Sequence, residues 1–336
     1  MSGWDRKYGE LYKGKVTSEE LWASFNYVFS DSSSKRNTYK FGLIKAILDN
    51  LFHAVPMVVH ETTEYYISYE YLFGKFAENY WNLIVKYHLR QMIPNSQSEY
   101  SAIEQIFMKA VKKEPELAEI EFVSIDEKTR KSLISKVTKD CKKYVLGALY
   151  QDFEGKVYSF NLSDYDGIYI GSSAYDFMVE YKTDIEKLNY YSWAGFLEKI
   201  NDDNVLVRLI DKLDLATTVR KDLSIYRYVL YKEFEENNCF YCGRKLKGTP
   251  AVDHFIPWSF MKTDNLWNFV LACNTCNSRK SNKLPSEKYI HKMVKRNQIL
   301  AKSDDSFVRE QFRTYNANML VRLWTYALNS GYRVMK

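Results

Sequence analysis

Two Cys-x-x-Cys pairs, Cys239/Cys242 and Cys273/Cys276, stand 30 residues apart in the C-terminal third of this 336-residue chain. Thiolates are soft ligands, and two such turns make a closed tetrahedral Zn²⁺ site that supplies folding energy and leaves no open position for chemistry. The separation exceeds that of a plain zinc ribbon, so the clip must enclose a small substructure of its own. The fifth cysteine, Cys141, stands alone, which argues for a metal site in a reducing compartment rather than a disulfide framework. A cytoplasmic location is therefore expected. The first residues lack the apolar run of a signal peptide, and no window approaches the roughly 20 apolar residues of a membrane span, so no membrane partner is expected.

Between the pairs, residues 251–256 have strand character and Pro257 ends it. Residues 268–272 (Asn-Phe-Val-Leu-Ala) read as a second strand, and residues 274–283 can begin a helix. This β, β, α order carries Asp253-His254, Asn268 and Asn277. Hydrolysis of a phosphodiester needs a nucleophile made from water, charge neutralisation at the phosphate, and help for the leaving oxygen. An imidazole, with a reference pKa of roughly 6.5, can take a proton from water near pH 7. Oxygen donors such as an Asp carboxylate and an Asn carboxamide suit Mg²⁺ or Mn²⁺. Asp253-His254 alone is a common solvated pair; it gains meaning only with both asparagines and both thiolate pairs around it.

The runs Val252-Asp253-His254-Phe255-Ile256-Pro257, Trp267-Asn268-Phe269-Val270-Leu271 and Cys276-Asn277-Ser278-Arg279-Lys280 resemble the HNH endonuclease superfamily. The stretch from Val252 through Ser259-Phe260 to Lys280-Ser281-Asn282-Lys283-Leu284-Pro285 is also similar to the HNH module of RNA-guided CRISPR nucleases. Asn277 stands where many members have the third His. The resemblance implies a zinc-clipped ββα-metal endonuclease in which His254 is the general base and Asn268 orients its ring. Asp253 and Asn277 would hold one divalent ion, Mg²⁺ or Mn²⁺. The implied substrate is DNA, with RNA open to the same chemistry, and the implied products carry 5′-phosphate and 3′-hydroxyl ends. Adjacent strand residues point to opposite faces, so Asp253 and His254 share a site only where the strand distorts or ends.

Charge is distributed unevenly. Residues 226–336 hold 19 Lys and Arg against 9 Asp and Glu, and residues 1–225 hold 29 against 33. The excess positive charge thus accompanies the motif, as a polyanionic partner requires. Arg279, Lys280 and Lys283 are candidate phosphate contacts beside the motif. A helix capped by Ser286 would carry Lys288, Lys292, Lys295 and Arg296 along one face as a duplex rail; a solvated basic face explains these residues nearly as well. His291, among these lysines, reads as a surface or phosphate-contacting residue rather than a metal ligand.

Residues 1–225 predict a mainly α domain with small β elements, and residues 226–336 the HNH domain. Helical spacing covers residues 38–52, 68–93, 101–113, 126–150, 174–199 (with a break near Asn189), 204–213 and 217–236. A hairpin is expected around Tyr158–Leu162 and Ile168–Ile170, and a single final helix over 305–329. Cys141 falls on an apolar stripe and reads as a buried side chain; His53, His60 and His88 have no ligand partner at metal spacing. No phosphate loop or nucleophile elbow appears in this half. A large, mildly acidic domain without chemistry of its own, fused to a basic nuclease, suits the effector of a bacterial restriction or phage-defence system. There the first domain would dock a regulatory protein or form a homo-oligomer. The rival from another class is a non-catalytic zinc module that binds nucleic acid or protein.

Overall fold

The computed structural model describes residues 5–59, 62–216, 222–234 and 237–335. The chain divides into two compact units, Met1–Val219 and Arg220–Lys336. It is mainly helical with small sheets.

The first unit opens with a short strand β1 (Tyr8–Gly9) and α1 (Ser18–Phe29), whose Thr17 and Glu20 form a reciprocal capping box. Helix α2 (Tyr39–Asn50) follows and is buried over its whole length. A helix buried all round must satisfy its polar groups internally. Lys45 does so by pairing with Asp49 and with Glu186 at 3.2 Å, and Asp49 accepts from Asn79 at 3.0 Å. Strands β2 (Val55–Val59) and β3 (Thr62–Ser68) come next, then α3 (Tyr69–Trp81), capped by Ser68 and extended by a π-turn over Asn82–Lys86. Gly42 lets α2 lie against the Tyr80 ring of α3: a Cβ there would stand 2.3 Å from that ring. Helices α4 (Ala102–Lys113) and α5 (Glu127–Phe153) precede β4 (Tyr158–Asn161) and β5 (Gly167–Gly171). Cys141 is buried in α5 against Tyr39.

The expected hairpin is the centre of a larger antiparallel sheet in the order β1-β4-β5-β3-β2. Strand β2 lies at its edge, the place in a sheet where a proline such as Pro56 is tolerated. Helices α6 (Ser172–Glu180) and α7 (Lys182–Glu198) break at Tyr181 rather than Asn189, and α8 (Asp203–Leu206) and α9 (Leu209–Ala216) complete the unit. His53 and His88 lie in it without a metal cluster; among the described residues the only cluster of metal-binding side chains is that of the four paired cysteines. His60 lies outside the described residues.

In the second unit, α10 (Ser224–Lys232) covers the middle of the helix expected over 217–236, whose ends fall partly outside the described residues. Strands β6 (Ala251–His254) and β7 (Phe269–Ala272) pair antiparallel, Asp253 opposite Val270 and His254 opposite Phe269. Between them lies α11 (Trp258–Met261), and after them α12 (Asn274–Lys280) and α13 (Lys288–Leu300). The expected final helix is two, α14 (Ser306–Phe312) and α15 (Ala317–Asn329), because Asn316 turns extended and caps the second, accepting from Asn318 N–H. No described helix is long and apolar enough to cross a membrane.

Candidate metal centre and nuclease site

The four cysteine sulfurs converge. All lie within 4.8 Å of one another, and those of Cys242 and Cys273 are 3.9 Å apart. A zinc ion bonded to four sulfurs at roughly 2.3 Å holds them about 3.8 Å apart, so the donor set and its spacing fit zinc. Each pair is placed by local geometry. Cys239 accepts from Gly243 N–H through its carbonyl, and Gly243 sits at φ +69°, a turn that favours glycine. Cys273 caps α12, and its own N–H points at the Cys239 sulfur at 3.3 Å. The Arg244 guanidinium donates to the Cys242 sulfur at 3.5 Å and pushes that thiol down to about 6. Burial and the neighbouring thiols push Cys276 the other way. Crowded thiols cannot all ionise without a cation among them, and a bound metal removes that conflict.

Strand β6 ends at the motif. His254 is partly exposed, and its Nε2 lies 2.9 Å from Asp264 Oδ1. Its ring packs edge-on against Phe269, its cross-strand partner. A carboxylate can only accept a hydrogen bond, so Asp264 fixes the proton on Nε2 and leaves Nδ1 with a free lone pair. Asp264 was not singled out in the sequence; the only signal was an acid ten residues downstream of the His, inside the loop that returns to β7.

Asn268 makes no hydrogen bond to the ring, contrary to the expectation, because its carboxamide is engaged elsewhere. It is fully buried and its carboxamide is committed to one residue of backbone, accepting from Ile256 N–H at 2.8 Å and donating to Ile256 C=O at 3.0 Å. Its own C=O accepts from Phe255 N–H at 2.7 Å. The side chain thereby prolongs the β6–β7 ladder beyond its last residue pair and closes the loop that carries Asp264. Arg296 and Asn297 of α13 brace the same turn, Arg296 donating to the Phe269 carbonyl and Asn297 to that of Trp267 at 2.8 Å.

Asp253 points the opposite way from His254, into the interior, as strand alternation requires. It accepts from Tyr241 OH at 2.5 Å and from Lys280 Nζ at 3.2 Å. Lys280 also donates to the His254 carbonyl at 2.6 Å. Burial raises the Asp253 pKa and lowers that of Lys280, each against the pull of its partner. Desolvation outweighs attraction in such a pair. Asn277, half-buried, lies three residues before Lys280 on α12, and its carboxamide has no hydrogen bond among the described residues. Positions i and i+3 lie on the same side of a helix.

Three of the expected phosphate contacts are structural. Lys280 is buried on Asp253, and Arg296 is buried beneath carbonyls of the β7 turn, where burial lowers its pKa to about 9. Lys292 spends its ammonium on the Phe240 carbonyl, above the Phe240 ring. Arg279, Lys283, Lys288 and Lys295 are exposed, as is His291.

Residues 239–283 match the family model for HNH endonuclease. This segment is an HNH endonuclease domain. The match runs from the first zinc-type cysteine to just past α12, so the HNH domain includes the cysteine cluster, the β6–β7 pair and the motif. It does not extend into the first unit. No curated protein and no solved structure matches the chain.

Proposed function

We propose that the chain is a metal-dependent endonuclease that hydrolyses phosphodiester bonds of DNA. The observation that carries this is the His254–Asp264 pair at the open end of β6, which leaves one imidazole nitrogen as a base with its tautomer fixed. In this reading Nδ1 of His254 takes the proton of an attacking water, and Asp264 stabilises the imidazolium that results. Asn268 positions both residues through the Ile256 backbone.

A divalent ion, Mg²⁺ or Mn²⁺, would be held by Asp253 and Asn277. The Asn277 carboxamide has no other partner among the described residues, whereas both Asp253 oxygens are taken, one by the Tyr241 hydroxyl and one by the Lys280 ammonium, so Lys280 would have to yield its place to the ion. When bound, such an ion supplies charge neutralisation at the phosphate. Zinc on Cys239, Cys242, Cys273 and Cys276 is structural in this reading. Arg279, Lys283, Lys288 and Lys295 supply the exposed positive charge that meets the sugar-phosphate backbone.

The test is incubation of the purified chain with plasmid and Mg²⁺ or Mn²⁺. Cleavage is expected, and His254→Ala should reduce it by about 10²-fold or more. Cleavage that survives this substitution removes His254 as the base. Metal-independent DNA binding with no cleavage under either ion would instead favour a zinc-stabilised binding module. The fusion of this domain to a larger acidic unit supports a role as the effector of a bacterial restriction or phage-defence system. Cells expressing the wild-type chain, but not His254→Ala, should then plate phage less efficiently; equal plating by both rejects that role.

A further inference from the structure

The first unit contains a cleft of about 910 Å³ between the segment that follows α1, the start of α4 and the outer face of α5. That volume is in the range of small-molecule sites. Its lining has a consistent chemistry. Lys35, Arg36, Lys40 and Lys143 face it, against the carboxylates of Asp140 and Asp152. Asp152 is already neutralised by Lys40 at 2.6 Å. Among the described residues the other three cations are held by no carboxylate: Lys35 donates only to the carbonyls of Ser30 and Ser33, at 2.7 and 3.0 Å, and the exposed Arg36 side chain has no partner there. Lys143 lies over the Tyr144 ring at 4.9 Å.

Aromatic faces accompany these charges. Tyr144 is 43% exposed, and Tyr100 lines the cleft from the other side beneath Arg90. Gln151 adds an exposed carboxamide whose donor and acceptor are both unused among the described residues. Cations for phosphates, π-faces for stacking and a two-way hydrogen-bonding group for a base edge form the recognition set of a nucleotide. We propose that this cleft binds a free nucleotide, its phosphates at Lys35, Arg36 and Lys143 and its base against the tyrosines. A nucleic-acid strand fits less well, because residues 1–225 carry more acidic than basic side chains and offer no extended positive track.

Lys35 gives the site a pH dependence. Burial first, and then the Lys40 ammonium, lower its pKa to about 8; Asp152 and Asp31 oppose this and Lys199 adds to it. Lys35 is therefore charged below about pH 8 and loses its charge above it, so anion affinity should fall as pH rises through that value.

The experiment is calorimetric titration of the full-length chain with ATP, GTP, CTP, UTP and the dinucleotide pApA, beside inorganic phosphate and the single strand dT10. At least one nucleotide should bind. The exposed double variant Arg36→Glu/Lys143→Glu should weaken it by about tenfold or more, as loss of charge-assisted hydrogen bonds predicts. Tyr144→Leu should weaken the nucleotide but not phosphate. Unchanged circular dichroism and melting in these variants separate the effect from misfolding. The proposal is overturned if every nucleotide binds more weakly than about 1 mM. It is equally overturned if the double variant leaves affinity unchanged, if phosphate binds as well as the nucleotides, or if dT10 binds better and loses affinity in the double variant.

Discussion

At the scale of single residues, the two polar partners of the motif divide the work that one was expected to do. Asp264 holds the imidazole and Asn268 holds the loop that carries Asp264. Their substitutions should therefore fail in different ways. Asp264→Asn can present an N–H to Nε2, which favours the tautomer with the proton on Nδ1 and removes the base. Cleavage should drop by about 10²-fold while thermal unfolding changes little; unaltered cleavage would sink the role given to Asp264. Asn268→Ala leaves the Ile256 N–H and C=O buried and unpaired, at about 1–3 kcal/mol each. Denaturant unfolding should show a loss of roughly 2–5 kcal/mol, and a loss below about 1 kcal/mol would show that the ladder closes without it. The resemblance implied Asn268 as the orienting partner of His254, but Asp264 takes that place and Asn268 bonds the Ile256 backbone instead. Which acceptor meets Nε2 depends on the path of residues 257–268, where Pro257, α11 and the left-handed Lys262 (φ +56°) set the turn.

At the scale of elements, legibility followed sequence distance. Ser68, Ser101 and Asp126, where three of the expected helices begin, stand at the N-caps of α3, α4 and α5, because apolar stripes and helix starts are local signals. The sheet was only partly legible, since β3 pairs with β5 across about a hundred residues and the edge strand β2 exposes Met57 and Val58 instead of alternating. The cysteine pairs were legible as a metal site for a chemical reason: four reduced thiols have little other cause to recur at that spacing. The β6–β7 ladder has four residue pairs, too few to stand alone, so the clip that ties its ends should decide whether the second unit folds. Structural zinc contributes apparent binding energies of roughly 10–16 kcal/mol, comparable to the whole stability of a domain. Elemental analysis should find one zinc per chain. Cys239→Ser/Cys273→Ser should lose the metal together with the tertiary signal of the aromatic side chains packed around β7. A full native spectrum without zinc would show that the thiols merely lie near one another.

At the scale of the whole molecule, the sequence placed a positive excess in residues 226–336, but the structure shows that this excess is not all available to a polyanion. Lys280 and Arg296 are consumed inside the fold, one under the motif strand and one under the β7 turn, while Lys283, Lys288 and Lys295 remain in solvent. The two sets should separate in a binding experiment. Each phosphate neutralised releases counterions, and the slope of log K against log salt changes by about 0.9 per contact on duplex DNA. Replacing Lys283, Lys288 and Lys295 by Gln should flatten the slope by up to about 3 with folding intact. Lys280→Ala should instead leave Asp253 charged and unpaired in the interior, at a cost of about 3–5 kcal/mol in unfolding. Lys280→Met with Asp253→Leu should recover part of that stability, since a buried pair can be replaced by apolar groups of similar size, less the cost of the Tyr241 hydroxyl and His254 carbonyl that lose their partners. The double substitution also removes a donor proposed for the catalytic ion, so it should restore the fold without restoring cleavage. A stable double variant that still cuts plasmid would exclude Asp253 from the reaction and leave Asn277 as the one proposed protein ligand for the ion.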